Sequence, residues 1–340
     1  MRDTTSEFPL LLEPLALRGV TLPNRVMMSP MCQNRATAEG LATDWHLVHY
    51  GSRAIGGVGL IMVEDCGVTS EGRLNTTALG IYEDAQLKPL KRIVDFCQSM
   101  GSRVGLQLGH AGRKAFAPSK GHGPVPSVGP AAAPFADGWM PPQALDRAGC
   151  QRIVDAYGDA ARRALRAGFD LVEVHAGHGY LLHEFLSPLT NTRDDEYGGD
   201  ADRNARLLND VVQRVREVCP AEVPVLVRLS VVDPEPGGLR LNDILDLVVG
   251  LRALGVDAVD VSSGGLTASP VGAHTADQPE LSAQLKEKTG VRTIAVGSVT
   301  EPATGEALLA AHKCDIVAVG RALLANPFWL QQVVPAVPKQ

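Results

Sequence analysis

The chain has 340 residues, of which 45% are apolar and 21% are charged, and its formal net charge is −6. This apolar share can bury a large core, which excludes an intrinsically disordered chain. The acidic balance, without any basic tract, argues against a nucleic-acid partner. The longest apolar runs, such as residues 57–63, are far shorter than the roughly 20 residues of a membrane span, so we expect no membrane partner.

The six cysteines lie far apart along the chain and form no C-x-x-C pair. This spacing argues against a zinc ribbon or an iron–sulfur cluster, and the thiols are too few for a disulfide scaffold. Residues 1–7 are polar and lack the basic and apolar regions of a signal peptide. We therefore expect a reduced, cytoplasmic protein that binds no metal ion.

Short β-branched apolar runs alternate with longer helical patterns from residue 25 onward. Eight strands are predicted, at 25–29, 59–64, 103–108, 171–174, 225–229, 258–261, 293–296 and 315–319. Eight helices are predicted, at 44–55, 88–100, 147–167, 204–219, 242–254, 281–289, 302–311 and 327–334. Strands that are apolar on both faces indicate a parallel sheet covered by helices.

Eight such units predict an α/β fold of the (β/α)8 TIM-barrel type, formed by a single domain over residues 1–340. The surplus length falls in an N-terminal extension, residues 1–24, and in a Gly- and Pro-rich capping loop after the third strand, residues 115–143. The alternative is an open, doubly wound sheet, which would be expected to carry a G-x-G-x-x-G turn after an early strand. The sequence has no such turn there.

Polar side chains collect at the predicted C-terminal ends of the strands. In a barrel these ends meet at one mouth, where catalytic residues are found. The positions are Ser29, Pro30, Met31, Cys32, Glu64, Asp65, Gln107, His110, Glu173, His175, Arg228, Ser262, Ser263, Gly264, Gly297, Ser298, Gly320 and Arg321. The pattern alone therefore predicts a functional site at this mouth.

The last two strands are followed by a pattern typical of a phosphate site. Gly297-Ser298 and Gly320-Arg321 each precede a helical segment. Small residues let backbone N–H groups approach a phosphate, a helix N-terminus favours an anion, and Arg321 offers a forked donor. The alternative is that these glycines only turn the chain.

The segment from His175 to Tyr180 places two imidazoles and a phenol beyond the fourth strand. A metal site would need a third ligand at a matching spacing, and no obvious carboxylate provides it. Two neutral imidazoles, His175 and His178, can instead donate hydrogen bonds to a carbonyl oxygen, and Tyr180 can deliver a proton. The alternative is a pair of structural histidines in a loop.

Two further strand-end residues suggest a bound heterocycle. A buried Arg228 is costly unless it meets an anion or an electron-rich ring edge. Gln107 can donate and accept together, which suits a planar ring with both kinds of group. Cys32, considered alone, is more typical of a small buried apolar residue than of a functional thiol.

Several runs together identify a family. NRV at 24–26 leads into SPMC at 29–32, GLIMVE spans 59–64, and QLGHAGRK spans 107–114. A longer run starts at His175 and passes through FLSP at 185–188 to YGG at 197–199. In this order and spacing the chain resembles the Old Yellow Enzymes, flavin-dependent ene-reductases, over residues 11–330. It is most similar to the bacterial class that has a cysteine near the flavin.

The resemblance implies FMN held non-covalently at the barrel mouth. The residues it places around the isoalloxazine ring are Ser29, Pro30, Met31, Cys32, Asp65, Gln107 and Arg228. Those it places around the ribityl chain and phosphate are Ser263, Gly297, Ser298, Gly320 and Arg321. A cation beside the ring would stabilise the reduced anionic flavin.

The mechanism implied by the resemblance is ping-pong. NADPH or NADH reduces FMN and leaves, and an α,β-unsaturated carbonyl compound then takes its place. His175 and His178 bind the carbonyl oxygen, hydride reaches the β-carbon, and Tyr180 protonates the α-carbon. The partners implied are a small enone-type substrate and other copies of the chain in a homo-oligomer.

The chain departs from the family pattern at three positions that bear on the site. Asn34 stands where relatives usually have a tyrosine that contacts substrate, which predicts a wider and more polar pocket. Asp65 stands where a small residue is common, and a carboxylate there is expected to lower the flavin potential. Relatives often continue with a C-terminal tail whose arginine reaches a neighbouring subunit, and the sequence to Gln340 lacks it.

Three alternatives remain on the same fold. One is the flavin-dependent oxidation or demethylation of an N-methylated amine, suggested by Asn34 and Asp65. Another is a flavin redox sensor that uses Cys32 without turnover. A third is a non-redox isomerase or aldolase for a sugar phosphate, which would need a lysine or carboxylate base at a strand end, and no clear candidate is present.

Overall fold

Eight parallel strands close into a barrel in the computed structural model, which describes residues 7–115, 127–268 and 277–333. The strands are β1 (Val26–Met28), β2 (Leu60–Gly67), β3 (Arg103–Gly109), β4 (Leu171–Ala176), β5 (Val225–Ser230), β6 (Ala258–Ser262), β7 (Arg292–Val296) and β8 (Ile316–Val319). Each strand pairs with the next in the chain, and β8 pairs back with β1. The eight predicted strands and the TIM barrel are therefore confirmed.

Helices follow the strands and cover the outside of the barrel. They are α1 (Asp44–Ile55), α2 (Leu87–Ser99), α3 (Arg147–Arg166), α4 (Leu181–Leu186), α5 (Ala201–Val218), α6 (Leu245–Ala253), α7 (Gln278–Thr289), α8 (Pro302–Ala310) and α9 (Arg321–Ala325). The outer helices other than α4 and α9 match the predicted ranges to within three residues at each end. Asp146 caps α3 by accepting from the backbone N–H of Gly149, and Gly290 ends α7 in the left-handed region at φ 63°.

The last predicted helix, 327–334, is wrong. Within its described part the chain makes only a short 3₁₀ turn, Trp329–Gln332, and residue 334 lies outside the described residues. The helical segment comes earlier, as α9, directly after β8. It stops at the extended residue Asn326 because Pro327 disfavours a helical conformation in the residue before it.

The interior of the barrel is apolar at the amino-terminal ends of the strands. The N-terminal extension contributes a small hairpin, Leu15–Leu17 with Val20–Leu22, whose leucines close this end. The layer consists of Leu17, Leu22, Met27, Leu60, Met62, Leu171, Leu226, Ala258, Ile294, Ile316 and Ala318. Since this end is filled by apolar side chains, polar groups can gather only at the opposite mouth.

Part of the predicted capping loop is visible. Val128–Gly129 pairs with Gln143–Ala144 in a small two-stranded sheet beside the barrel, whereas residues 116–126 of the loop lie outside the described residues. Residues 1–6 of the N-terminal extension and 334–340 at the C-terminal end also lie outside them. The assignment of residues 1–340 to one domain stays a prediction.

Among the helices of the described residues, none is both long and apolar enough to cross a membrane. Within the same residues, no group of at least three His, Cys, Asp or Glu side chains is arranged to hold a metal ion.

Candidate active site

A layer of charged and amide side chains lies inside the barrel, directly above the apolar layer. Gln107 on β3 is paired with Glu173 on β4, and Arg228 on β5 is paired with Asp260 on β6, whereas across β4 and β5 the register partner of Arg228 is His175. Nε2 of Gln107 donates to Oε1 of Glu173 at 2.8 Å, and Nε of Arg228 lies 3.2 Å from Oδ2 of Asp260. These two neighbouring pairs form the floor of the mouth.

Three charged side chains of this floor are buried: the acids Glu173 and Asp260 and the cation Arg228. Burial raises the pKa of Glu173 to about 8, helped by the nearby Asp260 and opposed by Arg228. Burial also raises the pKa of Asp260, which Arg228 opposes. Because one guanidinium faces both carboxyl groups, a protonated Glu173 beside an Arg228–Asp260 ion pair is the arrangement that leaves no excess buried charge.

Above this floor, four side chains form a continuous hydrogen-bonded chain. Oδ2 of Asp65 lies 2.9 Å from Nδ1 of His175, and Nε2 of His175 lies 2.8 Å from Nδ1 of His178. Nε2 of His178 lies 2.7 Å from Oγ of Ser262. His175, predicted to lie beyond the fourth strand, is within β4. It is in direct contact with His178 of the following loop, and each ring nitrogen of the two histidines has a partner.

Both imidazoles are neutral near pH 7. Burial lowers the pKa of His175, and the carboxylate of Asp65 partly offsets this effect. Burial lowers the pKa of His178 well below its usual value, and the positive charge of Arg228 adds to the effect. A neutral imidazole can donate a hydrogen bond to a carbonyl oxygen, which is the role predicted for His175 and His178 from the sequence.

Tyr180 packs against the same histidine. Its ring meets that of His175 edge-on, with the centroids 4.8 Å apart. Burial raises the pKa of Tyr180 well above its usual value, with a further contribution from Cys32 and Asp65. The phenol therefore keeps its proton at neutral pH and is available as a proton donor.

A sharp turn brings Tyr180 to this place. His178 adopts φ +56° and Gly179 φ +70°, and a Cβ at position 179 would overlap the carbonyl oxygen of Gly265. Nζ of Lys114 donates to the carbonyl oxygens of His178, at 2.7 Å, and Gly265. The 3₁₀ turn Gly112–Lys114, directly after β3, thus holds the loop of His178 and Gly179 in place.

The residues after β1 face the mouth from the opposite side. Ser29 and Pro30 are buried, whereas Met31, Cys32 and Asn34 are half-buried. The hydroxyl of Ser29 lies 3.5 Å from Nη1 of Arg228, at the limit of a hydrogen bond. Asn34 adopts φ +54°, and its Oδ1 accepts from Nδ2 of Asn75 at 2.6 Å.

The ends of β7 and β8 carry the predicted phosphate residues. Gly297 and Ser298 both have positive φ, at +123° and +54°, and Ser298 is exposed. Gly320 precedes α9, and Arg321 is exposed at its first position. Directly after β6, Ser263 is half-buried, and Nε2 of Gln278 lies 3.3 Å from its hydroxyl. The ends of these two strands thus present two residues of positive φ and an exposed cation, which suit a phosphate.

Two strand-end residues have local structural contacts instead. Glu64 is buried, where its carboxyl group accepts from the hydroxyl of Tyr50 at 3.0 Å and from the backbone of Gln33 at 2.8 Å. Nδ1 of His110 accepts from the backbone N–H of Gly112 at 3.1 Å and holds the turn after β3. These contacts brace the loops around the mouth.

Sequence reasoning missed the parts played by Asp260 and Lys114. Asp260 lies on the same face of β6 as Ala258, which belongs to the interior apolar layer, so its inward direction follows from the two-residue period of a strand. In the sequence, Lys114 is noted only as part of the family motif at 107–114. Its contact with the carbonyl oxygen of His178 joins positions 64 residues apart. The first residue could have been found from the pattern, and the second could not.

The residues at the mouth fit FMN. Arg228 is a buried guanidinium, and among the described residues its Nη1 has one marginal partner, Ser29, which suits a ring edge rich in oxygen and nitrogen. Gln107 donates one amide N–H to Glu173, which leaves a second N–H and the carbonyl oxygen for a planar ring. The exposed Arg321 beside two positive-φ residues suits a phosphate.

The sequence matches known proteins over nearly its full length. The model of the NADH:flavin oxidoreductase / NADH oxidase family matches residues 10–340. An NADPH dehydrogenase of Geobacillus thermodenitrificans is 40% identical over 321 residues, which cover 94% of this chain and 92% of that protein. One from Listeria monocytogenes is 40% identical over 314 residues, covering 92% and 90%.

Solved structures give the same result. Morphinone reductase has a TM-score of 0.82 at 30% identity, covering 95% of this chain and 88% of its own. The Old Yellow Enzyme homologue from Zymomonas mobilis has a TM-score of 0.83 at 29% identity, covering 97% and 94%. The chain therefore belongs to the NADH:flavin oxidoreductase / NADH oxidase family, of the Old Yellow Enzyme type, and is an NAD(P)H-dependent flavin oxidoreductase that uses FMN.

Proposed function

We propose that the protein reduces the C=C bond of α,β-unsaturated carbonyl compounds at the expense of NAD(P)H. The observation that carries the proposal is the contact of three groups at one mouth. His175 and His178 are 2.8 Å apart, and the protonated phenol of Tyr180 packs against His175. A carbonyl oxygen that enters at this contact can replace the hydrogen bond that the two rings share, and a proton donor for the neighbouring carbon lies beside it.

Each protein group has a defined part in this reaction. The hydride comes from NAD(P)H by way of bound FMN. The imidazoles of His175 and His178 donate to the carbonyl oxygen, which draws electron density away from the β-carbon. The phenol of Tyr180 delivers the proton to the α-carbon. The low pKa of both histidines keeps them neutral, so the phenol is the acid of the site.

We assign the cofactor contacts as follows. The residues that would hold the ring are Ser29, Pro30, Met31, Cys32, Asp65, Gln107 and Arg228, and those that would hold the ribityl phosphate are Ser263, Gly297, Ser298, Gly320 and Arg321. Arg228 compensates the negative charge of a reduced ring, whereas the carboxylate of Asp65 opposes it and lowers the potential. Asn34 occupies the rim, where its small side chain leaves room for substrate.

The reaction is tested by two half-reactions measured separately. The purified protein should be yellow, and NADPH or NADH should bleach it under anaerobic conditions. Addition of an enone should then restore the oxidised spectrum. A reduced enzyme that no member of an enone panel reoxidises contradicts the proposal. An N-methylated amine that bleaches the oxidised enzyme without NAD(P)H would favour the demethylase instead, which the carboxylate of Asp65 near the mouth would serve by attracting a cationic amine.

The phosphate assignment has a test of its own. Arg321→Ala should weaken FMN binding about tenfold or more and leave riboflavin binding unchanged, because riboflavin lacks the phosphate. The matched control is Arg152→Ala, which removes an exposed arginine from the outer helix α3. Equal losses for FMN and riboflavin would show that Arg321 acts on the fold and not on the phosphate.

A further inference from the structure

We propose that His183 is a positioning residue which, together with Asp233, holds the turn that carries His178 and Tyr180. Both side chains of this pair are fully buried, so neither can contact a substrate itself. The inference rests on the proposed function, because that function is what makes Tyr180 the proton donor.

His183 contacts the centre of the turn. It lies in α4, the helix that Tyr180 directly precedes. Its Nδ1 accepts from the backbone N–H of Gly179 at 2.9 Å, and Gly179 separates His178 from Tyr180 with φ +70°. Because this N–H is buried, it needs an acceptor, and His183 provides it.

Asp233 determines which nitrogen of His183 accepts. Its Oδ1 lies 3.1 Å from Nε2 of the imidazole. Burial by itself raises the pKa of Asp233, but His183, Leu239 and Ser187 together outweigh this effect, so the pKa is below its usual value and the carboxyl group is ionised. A carboxylate only accepts, which places the proton of the ring on Nε2 and leaves the lone pair of Nδ1 for Gly179.

The segment that follows β5 anchors the turn at two points. Oδ2 of Asp233 accepts from the hydroxyl of Ser187 at 2.7 Å and from the backbone N–H of Leu239 at 3.0 Å. Ser230, the last residue of β5, accepts the backbone N–H of His178 on its Oγ at 2.8 Å. Two consecutive N–H groups of the turn are therefore held from the same side.

Ser187, His183 and Asp233 have the residue types of a hydrolytic triad without its geometry. In a triad the imidazole accepts from the serine, whereas here the serine donates to the carboxylate and the imidazole accepts from a backbone N–H. The hydroxyl of Ser187 is also fully buried, so no substrate can reach it. The cluster is therefore suited to hold the turn and not to attack a substrate.

Two variants of His183 separate its two contacts. In His183→Asn the side-chain oxygen can take the place of Nδ1 and accept from Gly179, but the side chain is too short to reach Asp233. In His183→Gln the amide can reach Asp233 in the place of Nε2, but Gly179 loses its acceptor. We expect His183→Asn to preserve the turn and His183→Gln to disturb it.

Asp233→Asn changes the hydrogen-bonding pattern without changing the shape of the side chain. Its oxygen should stay with the two donors, Ser187 and Leu239, which turns the NH₂ group toward His183. A donor at Nε2 forces the ring proton onto Nδ1, where it opposes the N–H of Gly179. This variant should therefore behave like His183→Gln, and it keeps the test valid if a change at His183 prevents folding.

The first measurement is the hydrogen exchange of the Gly179 amide in the FMN-loaded, oxidised protein, with no nicotinamide or enone present. Labelling with carbonyl-¹³C histidine and ¹⁵N-glycine selects the amides that directly follow a histidine, which are those of Gly123 and Gly179. His122→Ala removes the signal of Gly123 from this pair. The signal that persists is that of Gly179.

Exchange of the Gly179 amide should be at least about tenfold faster in His183→Gln and Asp233→Asn than in wild type, because this N–H loses its acceptor. It should stay near the wild-type rate in His183→Asn. Ser187→Ala is the matched control and should also exchange slowly, since Leu239 still holds Asp233. A wild-type rate in both His183→Gln and Asp233→Asn overturns the proposal.

The second measurement is the reoxidation of the prereduced enzyme by an enone. His183→Gln and Asp233→Asn should reoxidise about tenfold or more slowly, because a displaced phenol delivers its proton poorly, while NAD(P)H should reduce them at the wild-type rate. His183→Asn should recover most of the reoxidation rate. Fast amide exchange with wild-type reoxidation, or equal slowing of both half-reactions, would refute a positioning role.

The two measurements fail independently. If no enone reoxidises the wild-type enzyme, the proposed function is wrong, whereas the exchange of Gly179 still tests whether His183 and Asp233 hold the turn. If the wild type reduces enones and the exchange rates do not follow the expected order, the positioning role is wrong and the proposed function stands.

Discussion

Nε2 of His175 and Nδ1 of His178 share a hydrogen bond of 2.8 Å, so these two imidazoles act on a bound oxygen as one unit. Removal of either ring breaks the chain that runs from Asp65 to Ser262. Groups that work as a unit show strongly non-additive effects when they are removed singly and together. The pair therefore predicts a specific result from a double-mutant cycle.

We expect His175→Asn and His178→Asn each to lower kcat/KM for an enone, and the double variant to lose little more than the worse single one. The quantity to measure is the rate constant for reoxidation of the prereduced enzyme as a function of enone concentration. His312→Asn, at an exposed position after α8, is the control and should have no effect. Additive losses would mean that the two rings bind the oxygen independently.

Tyr180→Phe should slow reoxidation by an enone about 10²–10⁴-fold, the usual contribution of a general acid, and leave reduction by NAD(P)H unchanged. The reason is that the phenol is needed only when the α-carbon takes up a proton. Anaerobic stopped-flow absorbance measures the two half-reactions separately. Tyr82→Phe removes the hydroxyl of a half-buried tyrosine outside the site and serves as control. Equal slowing of both half-reactions would point to a structural part for Tyr180.

The fold could be predicted closely because most of its signals are local. β-Branched runs and helix stops gave all eight barrel strands and seven of the outer helices. α4 was missed because all six of its residues are buried, which leaves no amphipathic period to detect. α9 was missed because its apolar run continues toward Pro327, and only the break at Asn326 separates the two segments.

The site was predictable as a set of residues and not as a network. Strand ends indicated Gln107, His175 and Arg228, since a barrel brings these ends together. The contact of His175 with Asp65 joins residues 110 positions apart. It depends on a strand irregularity and on the missing side chain at 109. Neither feature can be detected from the periodicity of the sequence, so the contact of Asp65 with His175 could not be predicted from it.

Asn24, the first residue of the family motif at 24–26, stabilises the barrel by contacts that a mutation can test. Oδ1 of Asn24 accepts from the backbone N–H groups of Val26, at 3.1 Å, and Gly59, at 3.0 Å, while its Nδ2 donates to the carbonyl oxygen of Gly57 at 2.8 Å. Asn24 thus joins the start of β1 to the start of β2. Loss of the Asn24 side chain leaves the buried backbone N–H groups of Val26 and Gly59 without an acceptor, and each unsatisfied donor costs about 1–3 kcal/mol.

Asn24→Ala should therefore lower the free energy of unfolding by about 2–4 kcal/mol, measured by urea denaturation. Asn24→Asp keeps an acceptor for the two N–H groups and should cost less. Asn242→Ala, an exposed asparagine before α6, is the control. If Asn24→Ala is as stable as this control, the residue does not hold the strands together.

The raised pKa of Glu173 predicts how the free energy of unfolding depends on pH. Burial raises its pKa from the usual 4.5 to about 8 in the folded chain. Between these values the folded chain holds a proton that the unfolded chain has released, so the contribution is complete below about pH 4.5 and is lost as pH rises through about 8. The free energy of unfolding should fall by up to about 1.4 kcal/mol per pH unit across this window for this group alone.

Glu173→Gln should flatten this decline, because the amide is neutral at every pH and its oxygen can still accept from Nε2 of Gln107. Urea unfolding at about pH 5, 7 and 9, with saturating FMN, measures the slope. A residual decline is expected from Glu64 and Glu184, whose pKa values burial raises to about 7 and about 8. Glu287→Gln, at an exposed position on α7, should reproduce the wild-type curve. Identical slopes in wild type and Glu173→Gln would show that Glu173 is ionised in the fold, and that Arg228 compensates two carboxylates rather than one.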